Sequence, residues 1–334
     1  MSETVYLEAY LSPLAPWLER PDVTDLLINR PGEVWVETAA GAIREAAPEL
    51  TEQALGRLAR QIAAANHQGV SREQPLLSAT LPDGARVQVV APPATRGGLV
   101  MAVRKHVISN LSVDELAARG LFSGGPPETA QDRNAALQAR LDAGDTPGFL
   151  KAAVAARKTM VISGGTSSGK TTLLNALLKE VDAGERLIAI EDAAEVRLDH
   201  DNAVGLIAVR GEQGEARVDA NALVAAALRL RPDRILLGEL RGAEAFAFLR
   251  AVNSGHPGSL TTVHADSCDA ALDQIALLAL TSGLDLDYVR ARAYVASVVD
   301  VVVQLERAGG ARRVSEVRFR PREASASAAA EPRA

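Results

Sequence analysis

The stretch GGTSSGKTTLLNALL, residues 164–178, constrains the fold of this chain more than any other segment. Its Gly164, Gly169, Lys170 and Thr171 fit the phosphate-loop pattern of glycine, four residues, glycine, lysine and threonine. The apolar run VIS precedes the pattern and a helical sequence follows it, which is the context that the pattern requires. The alternative, a glycine-rich turn without a ligand, is disfavoured by that context. We therefore predict that the loop holds a nucleoside triphosphate.

The expected role of each loop residue follows from its chemistry. Backbone amides of a glycine-rich turn point inward, and the helix that follows directs its positive dipole end toward the phosphates. Lys170 is expected on the β- and γ-phosphates of ATP, and the Thr171 hydroxyl on Mg²⁺. The predicted nucleotide-binding residues of the loop are Gly164, Gly165, Thr166, Ser167, Ser168, Gly169, Lys170, Thr171 and Thr172.

Short β-branched runs alternate with helical sequences from residue 149 onward. The runs are TMVIS, RLIAI, RILLG, LTTVH and VVDVVVQL. This alternation predicts an α/β fold with a largely parallel sheet and helices on both of its faces.

The first part of the chain has a different pattern. In VTDLLINRPGEVWVE, residues 23–37, two extended runs flank a turn, and a helix begins after Thr51. The turn at residues 81–84 leads into an alternating strand. We predict a small α+β domain over 1–108, a linker over 109–147, a nucleotide-binding domain over 148–321 and a disordered tail over 322–334.

Polar residues follow three of the predicted strands. RLIAI leads into Glu191, with Glu195 shortly after, while RILLG leads into Glu239 and LTTV into His264. In parallel sheets ligands gather at the carboxyl ends of the strands, so we expect these side chains near the phosphates. Either Glu191 or Glu239 could orient the attacking water or hold magnesium through its hydration shell. Solvated strand ends and a structural histidine are the alternatives.

Composition excludes several functional classes. The formal net charge of -6 provides no field that would hold a polyanion, so strong direct nucleic-acid binding is not expected. Cys268 is the only cysteine, which excludes an internal disulfide and a multi-cysteine zinc site and favours the cytoplasm. The sequence shows no signal peptide and no run long enough for a membrane span, so any membrane contact is expected to be peripheral.

Four motifs in order resemble those of the secretion ATPase superfamily. GGTSSGKTT resembles its phosphate loop, IEDAAE its aspartate box, LRLRPDRILLGELRG its Walker B region and GHPGSLTTVHA its histidine box. The resemblance extends to residues 20–320 and is greatest to the traffic ATPase of type IV secretion systems. The type II and pilus branches often carry a four-cysteine zinc motif, which a chain with one cysteine cannot form.

The resemblance implies a RecA-like ATPase domain and a homo-hexamer. It implies ATP hydrolysis at protomer interfaces on the cytoplasmic side of the inner membrane, in contact with other secretion components. Matching positions give Lys170, Glu191, Glu239 and His264 as catalytic candidates. Thr171 and Glu239 are the metal candidates, and Glu195, Arg86, Arg104 and Arg241 are further nucleotide-binding candidates.

Other functions remain open at this point. A nucleotide-gated assembly scaffold would bind ATP and hardly hydrolyse it, and a pilus-biogenesis motor would use the same site. A small-molecule kinase would need an arginine-rich lid, which the sequence after Glu239 does not show. A hexameric DNA helicase is disfavoured by the acidic charge balance.

Overall fold

The computed structural model describes residues 2–106, 111–122, 130–209, 214–283 and 285–320. The predicted tail, 322–334, lies outside the described residues, as do 107–108 at the end of the predicted first domain and 109–110 and 123–129 of the predicted linker. Within the described ranges, no helix combines the length and the apolar character that crossing a bilayer requires.

The N-terminal part is a six-stranded antiparallel sheet with helices packed on it. Its strands, in spatial order, are β3 (Gly41–Ala47), β2 (Gly32–Thr38), β1 (Val23–Ile28), β6 (Val100–Arg104), β5 (Arg86–Val90) and β4 (Leu76–Thr80). The helices are α1 (Ser2–Leu11), α2 (Ala15–Leu18) and α3 (Glu52–Ala65), with a 3-10 turn over Ser12–Leu14. The Thr51 hydroxyl accepts a hydrogen bond from Ala54 N at 3.2 Å, which caps α3 as predicted. The predicted β1–β2 hairpin is also present.

The second part is a seven-stranded sheet, and the predicted phosphate-loop strand is an inner strand of it. Its spatial order is β13 (Ala311–Phe319), β12 (Val301–Ala308), β7 (Met160–Gly164), β11 (Leu260–Val263), β10 (Arg234–Leu237), β8 (Leu187–Glu191) and β9 (Ala203–Ile207). All neighbouring strands are parallel except the β12–β13 hairpin. The predicted parallel-rich α/β fold is therefore confirmed.

Helices cover both faces of this sheet. One face carries α5 (Ala130–Asp142), α6 (Thr146–Ala155) and α7 (Lys170–Leu178). The other carries α8 (Ala220–Ala227), α9 (Glu244–Asn253), α10 (Cys268–Leu280) and α11 (Tyr288–Val298). The short α4 (Val113–Ala118) and the whole of α5 fall within the predicted linker, and Leu137 of α5 is 3% exposed in the core of the second part.

The two sheets meet through apolar side chains and a short backbone pairing. Leu27 and Trp35 of the first sheet belong to the same apolar cluster as Val204 and Leu206 of β9. Thr95 forms an antiparallel bridge with Leu206 beyond the edge of the second sheet. The middle of the β5–β6 loop thus pairs with the edge strand β9 of the second sheet.

Two strands of the second sheet were not predicted. Both lie at its edges, where one or both faces reach water. In β9 buried and half-buried positions alternate over five residues, and β13 is largely exposed. β13 therefore lacks the continuous apolar run that marks the buried strands, whereas β9, AVGLI, is apolar throughout but contains Gly205, a residue that weakens a strand pattern.

Candidate nucleotide-binding site

The phosphate loop turns between β7 and α7 in a conformation that requires glycine at two points. Gly164 has φ +154° and Gly169 has φ +102°. A Cβ on Gly164 would lie 2.5 Å from Ser168 Oγ and 2.6 Å from Leu305 O, so no side chain fits. Ser167 also has positive φ, +60°. The pattern of glycines in the sequence therefore reflects the space and the backbone angles of this turn.

Lys170 begins α7 and folds back over the loop. Its Nζ donates to Gly164 O at 2.7 Å and to Gly165 O at 3.0 Å. The same nitrogen lies 3.4 Å from Nδ1 of His264. Burial lowers the pKa of Lys170, and the nearby Glu239 carboxylate opposes that shift. The cation is thus held at the mouth of the loop beside an acidic group.

Glu239 follows β10 and lies among cations. Its Oε1 is 2.8 Å from Nε2 of His264, and its carboxylate also forms an ion pair with Arg241. Arg241 Nη1 lies 3.5 Å from an oxygen of Asp192, and its hydrogen bond to Glu239 raises the pKa of Arg241. Three predicted residues, Lys170, Glu239 and His264, are therefore brought into one chain of contacts.

Glu191 ends β8 but is fully engaged with protein groups. Its side chain is 4% exposed, and its Oε1 accepts hydrogen bonds from the backbone N–H groups of Glu195 at 3.0 Å and Val196 at 2.8 Å. Its Oε2 forms an ion pair with Arg96. Glu195, in contrast, accepts a hydrogen bond from the Thr171 hydroxyl at 3.3 Å. Glu195 is thus the aspartate-box carboxylate that reaches the loop.

Arg86 and Arg104 lie together on the first sheet, as partners in the β5–β6 register. With Lys105 and His106 they line a separate cavity of about 230 Å³. The groups around the phosphate-loop cavity, within the part of the chain that the structure describes, include neither arginine. Arg241, the third predicted arginine, does line that cavity.

Two arginines at the site have no signal in the sequence. Arg312, on β13, donates from Nε to Ser167 O at 3.1 Å and lines the cavity. Arg96, in the β5–β6 loop, contacts the far side of the aspartate box. Both reach the site by long-range pairing of sheet edges, and nothing in their local sequence distinguishes them from the other arginines.

The cavity above the loop measures about 560 Å³. Ligand sites for small molecules and cofactors typically span about 300–1,000 Å³. The loop residues 166–172, the carboxylates and His264 line it, and Ser168 Oγ is buried with no hydrogen-bond partner among the described residues. Lys170, loop amides and nearby carboxylates are the donors and acceptors that a nucleotide with Mg²⁺ requires. Fold and site together define a phosphate-loop NTPase.

Comparison with known proteins identifies the family. The model of the type II/IV secretion system protein family matches residues 8–330. The type IV secretion system protein PtlH homolog of Bordetella bronchiseptica is 41% identical over 322 residues, 94% of this chain and 95% of that protein. The type IV secretion system protein VirB11 of Brucella suis is 39% identical, with 93% and 90% covered.

A solved structure extends the comparison to the fold. The VirB11 ATPase from the Brucella suis type IV secretion system, crystallised with sulphate, superposes with a TM-score of 0.87 at 38% identity, covering 94% of this chain and 98% of that one. The chain belongs to the type II/IV secretion system protein family, and it is a secretion ATPase. The predicted fold class, family and enzyme class are confirmed.

Proposed function

We propose that the chain hydrolyses Mg²⁺-ATP above the phosphate loop to drive a type IV secretion machine. The observation that carries the proposal is the contact chain of Lys170, His264 and Glu239 at the mouth of the loop. Positioning and charge stabilisation are what phosphoryl transfer mainly asks of a protein, and this arrangement supplies both.

Within this site we assign Glu239 to the attacking water. Its carboxylate is held by His264 and Arg241, so its direction is fixed by two neighbours. His264 also lies next to Lys170, so it can sense changes at the γ-phosphate and pass them to Glu239. Lys170 would bind the β- and γ-phosphates.

For the metal, the geometry favours a different carboxylate from the one that the sequence indicated. We keep Thr171 as a residue that contacts Mg²⁺, and its hydroxyl lies 3.3 Å from Glu195. Glu239 already pairs with Arg241 and lies 2.8 Å from Nε2 of His264, so we assign Glu195 instead to the hydration shell of Mg²⁺. When bound, the ion would neutralise charge on the phosphate oxygens.

We further propose that the chain works as a homo-hexamer, bound peripherally at the cytoplasmic face of the inner membrane beside other secretion components. Arg86 and Arg104 support the ring: they form an exposed cationic pair on the first sheet and do not line their own chain's cavity. In a ring they can complete the site of a neighbouring protomer as arginine fingers. With a net charge of -6, strong direct binding to nucleic acid is not part of the proposal.

The test is the ATPase rate against protein concentration for the wild type, for Lys170→Ala and for the double variant Arg86→Ala/Arg104→Ala. We expect the rate per subunit to fall on dilution and both variants to be inactive alone. Mixing the two variants should restore part of the activity, because a mixed ring contains some complete sites. Arg72→Ala, which removes an exposed ion pair to Glu215, is the matched control.

Two results would contradict the proposal. Activity in Lys170→Ala would exclude the site, and a rate per subunit that is constant on dilution to monomer would exclude shared sites. A wild type that binds ATP without releasing phosphate would instead favour the assembly scaffold.

A further inference from the structure

We infer that Arg96 is a positioning residue for ATP hydrolysis: it fixes the aspartate-box segment 191–196 from the N-terminal sheet of the same chain. The inference rests on the proposed hydrolysis at the phosphate loop and adds a residue to it. Arg96 lies in the β5–β6 loop, outside the four sequence motifs.

The backbone around Arg96 is fixed against the second sheet. Arg96 N donates to Gly205 O at 2.9 Å, and Ile207 N donates to Ala94 O at 2.9 Å. These two bonds flank the Thr95–Leu206 bridge at the edge of β9. The position of the arginine therefore does not depend on its side chain alone.

The side chain of Arg96 contacts both ends of the aspartate-box segment, Glu191 and Val196. Its Nη1 donates to Val196 O at 2.7 Å, and its guanidinium forms an ion pair with Glu191. The side chains of Arg96 and Glu191 are 22% and 4% exposed, so this pair is largely removed from water. A buried carboxylate that loses its cation is strongly disfavoured, which makes the contact sensitive to substitution.

The second sheet leaves space for this arginine at one residue. Gly205 on β9 has no side chain, and a Cβ there would lie 2.4 Å from Cδ, 2.6 Å from Nε and 2.8 Å from Cγ of Arg96. Because Gly205 has no positive φ, alanine is compatible with its backbone, and the three atoms nearest to an added Cβ all belong to Arg96. The Arg96 side chain thus packs in the space that the missing side chain of Gly205 leaves.

Two sets of hydrogen bonds connect Arg96 and Glu191 to the phosphate loop. Glu191 Oε1 accepts hydrogen bonds from the backbone N–H groups of Glu195 and Val196, while its Oε2 pairs with Arg96. The Glu195 side chain then meets the Thr171 hydroxyl. The described side-chain contacts of Arg96 are to Val196 and Glu191, and none is to the phosphate loop. Arg96 therefore affects the position of Glu195 indirectly, through Glu191. A shift of the first sheet relative to the second would move this carboxylate.

The experiment measures kcat for ATP hydrolysis and, separately, the Kd for a fluorescent ATP analogue on the full chain. For Arg96→Ala we expect kcat to fall about tenfold to a hundredfold, since small misplacements at a reacting centre carry losses of that order. The Kd should change by less than about threefold, because Lys170 and the loop amides are untouched. Arg96→Lys keeps the charge but not the two-sided reach, and should recover part of kcat.

Gly205→Ala provides a second route to the same displacement without removing any charge. We expect it to lower kcat like Arg96→Ala, and the double variant to be no slower than either single variant, because both act on one contact. Should Arg96→Ala fail to fold by circular dichroism, Gly205→Ala and Arg96→Lys decide the matter. Arg72→Ala, which breaks an exposed ion pair to Glu215 of the second part, is the control and should keep the wild-type kcat.

The results separate this inference from the proposed function. If the wild type hydrolyses ATP and Lys170→Ala does not, the proposed site stands. The inference is then overturned if Arg96→Ala and Gly205→Ala keep the wild-type kcat, or if their losses add in the double variant. Loss of kcat and of analogue binding in equal proportion would also overturn it, since that is the result of a general loss of folded protein.

Discussion

The neighbouring strands β8 and β10 each lead into a glutamate, and the two glutamates are used differently. Glu191 is 4% exposed, with backbone N–H groups on one oxygen and Arg96 on the other. Glu239 is 15% exposed and faces His264, which touches the loop lysine. The same sequence signal, a carboxylate after a buried strand, thus yields one residue that shapes a turn and one that can act on the substrate. The neighbours of a carboxylate decide its role.

Glu239→Gln should have the largest effect on kcat, and it tests whether Glu239 is the glutamate that acts on the substrate. The amide keeps the shape and loses the charge that orients water, so we expect kcat to fall about a hundredfold or more, with nucleotide affinity nearly unchanged. Phosphate release and analogue binding measure the two quantities. Glu306→Gln, on an exposed ion pair of β12, is the control. Equal activity in both variants would remove Glu239 from the chemistry.

His264→Ala should have the next largest effect, about tenfold in kcat. It removes the group that lies between the loop lysine and Glu239, but leaves Arg241 on that carboxylate. The matched control is His200→Ala, whose ring contacts only a backbone carbonyl, that of Val181, among the described contacts. A loss shared by both histidine variants would mean that His264 has no special part in turnover.

Glu191→Gln tests the structural side of the comparison through stability. The substitution leaves the largely buried Arg96 guanidinium without a counter-charge, so we expect the free energy of unfolding to fall by about 1–3 kcal/mol. Glu239→Gln, at the more accessible strand end, should lose less than about 1 kcal/mol. Urea unfolding by circular dichroism measures both. If Glu239→Gln is the more destabilised variant, the distinction between the two strand ends is wrong.

We expect the substitutions to have their smallest effect on the labelling rate of Cys268. This buried thiol can react quickly only if the core around it opens. Burial, with Glu316 nearby, raises the pKa of the thiol to about 12. At pH 8 roughly one molecule in ten thousand then carries the reactive thiolate, so labelling by a thiol reagent should be very slow in the folded chain and fast in urea. Labelling should gain speed only as pH rises toward 12. Fast labelling of Glu191→Gln at pH 8 would show that this substitution opens the core rather than one turn.

Local sequence predicted the phosphate loop and the strands leading into Glu191, Glu239 and His264, because each is encoded by neighbouring residues. Glycines with positive φ, a buried run and a helix start are all local requirements. The fold class and the convergence of Lys170, His264 and Glu239 followed from where parallel strands end.

What could not be predicted depends on contacts between distant parts of the chain. The edge strand β13 carries no continuous apolar run, and the short apolar strand β9 contains a glycine. The arginines that contact the site from these edges, Arg96 and Arg312, have no local pattern. A motif also gives the proximity of a carboxylate but not its direction, so the sequence could not show that the Glu191 oxygens contact Arg96 and backbone N–H groups. The domain limits and the roles of the site residues stay predictions.

The shared edge of the two sheets limits how this chain can be divided. A fragment beginning at residue 148 would lack the backbone of Ala94 and Arg96 and the side chains of Leu27 and Trp35, which cover β9. Its exposed strand edge and apolar patch would then recruit other copies into aggregates. The first sheet thus shields a strand edge of the second sheet, and reagents against the enzyme should be raised on the undivided polypeptide.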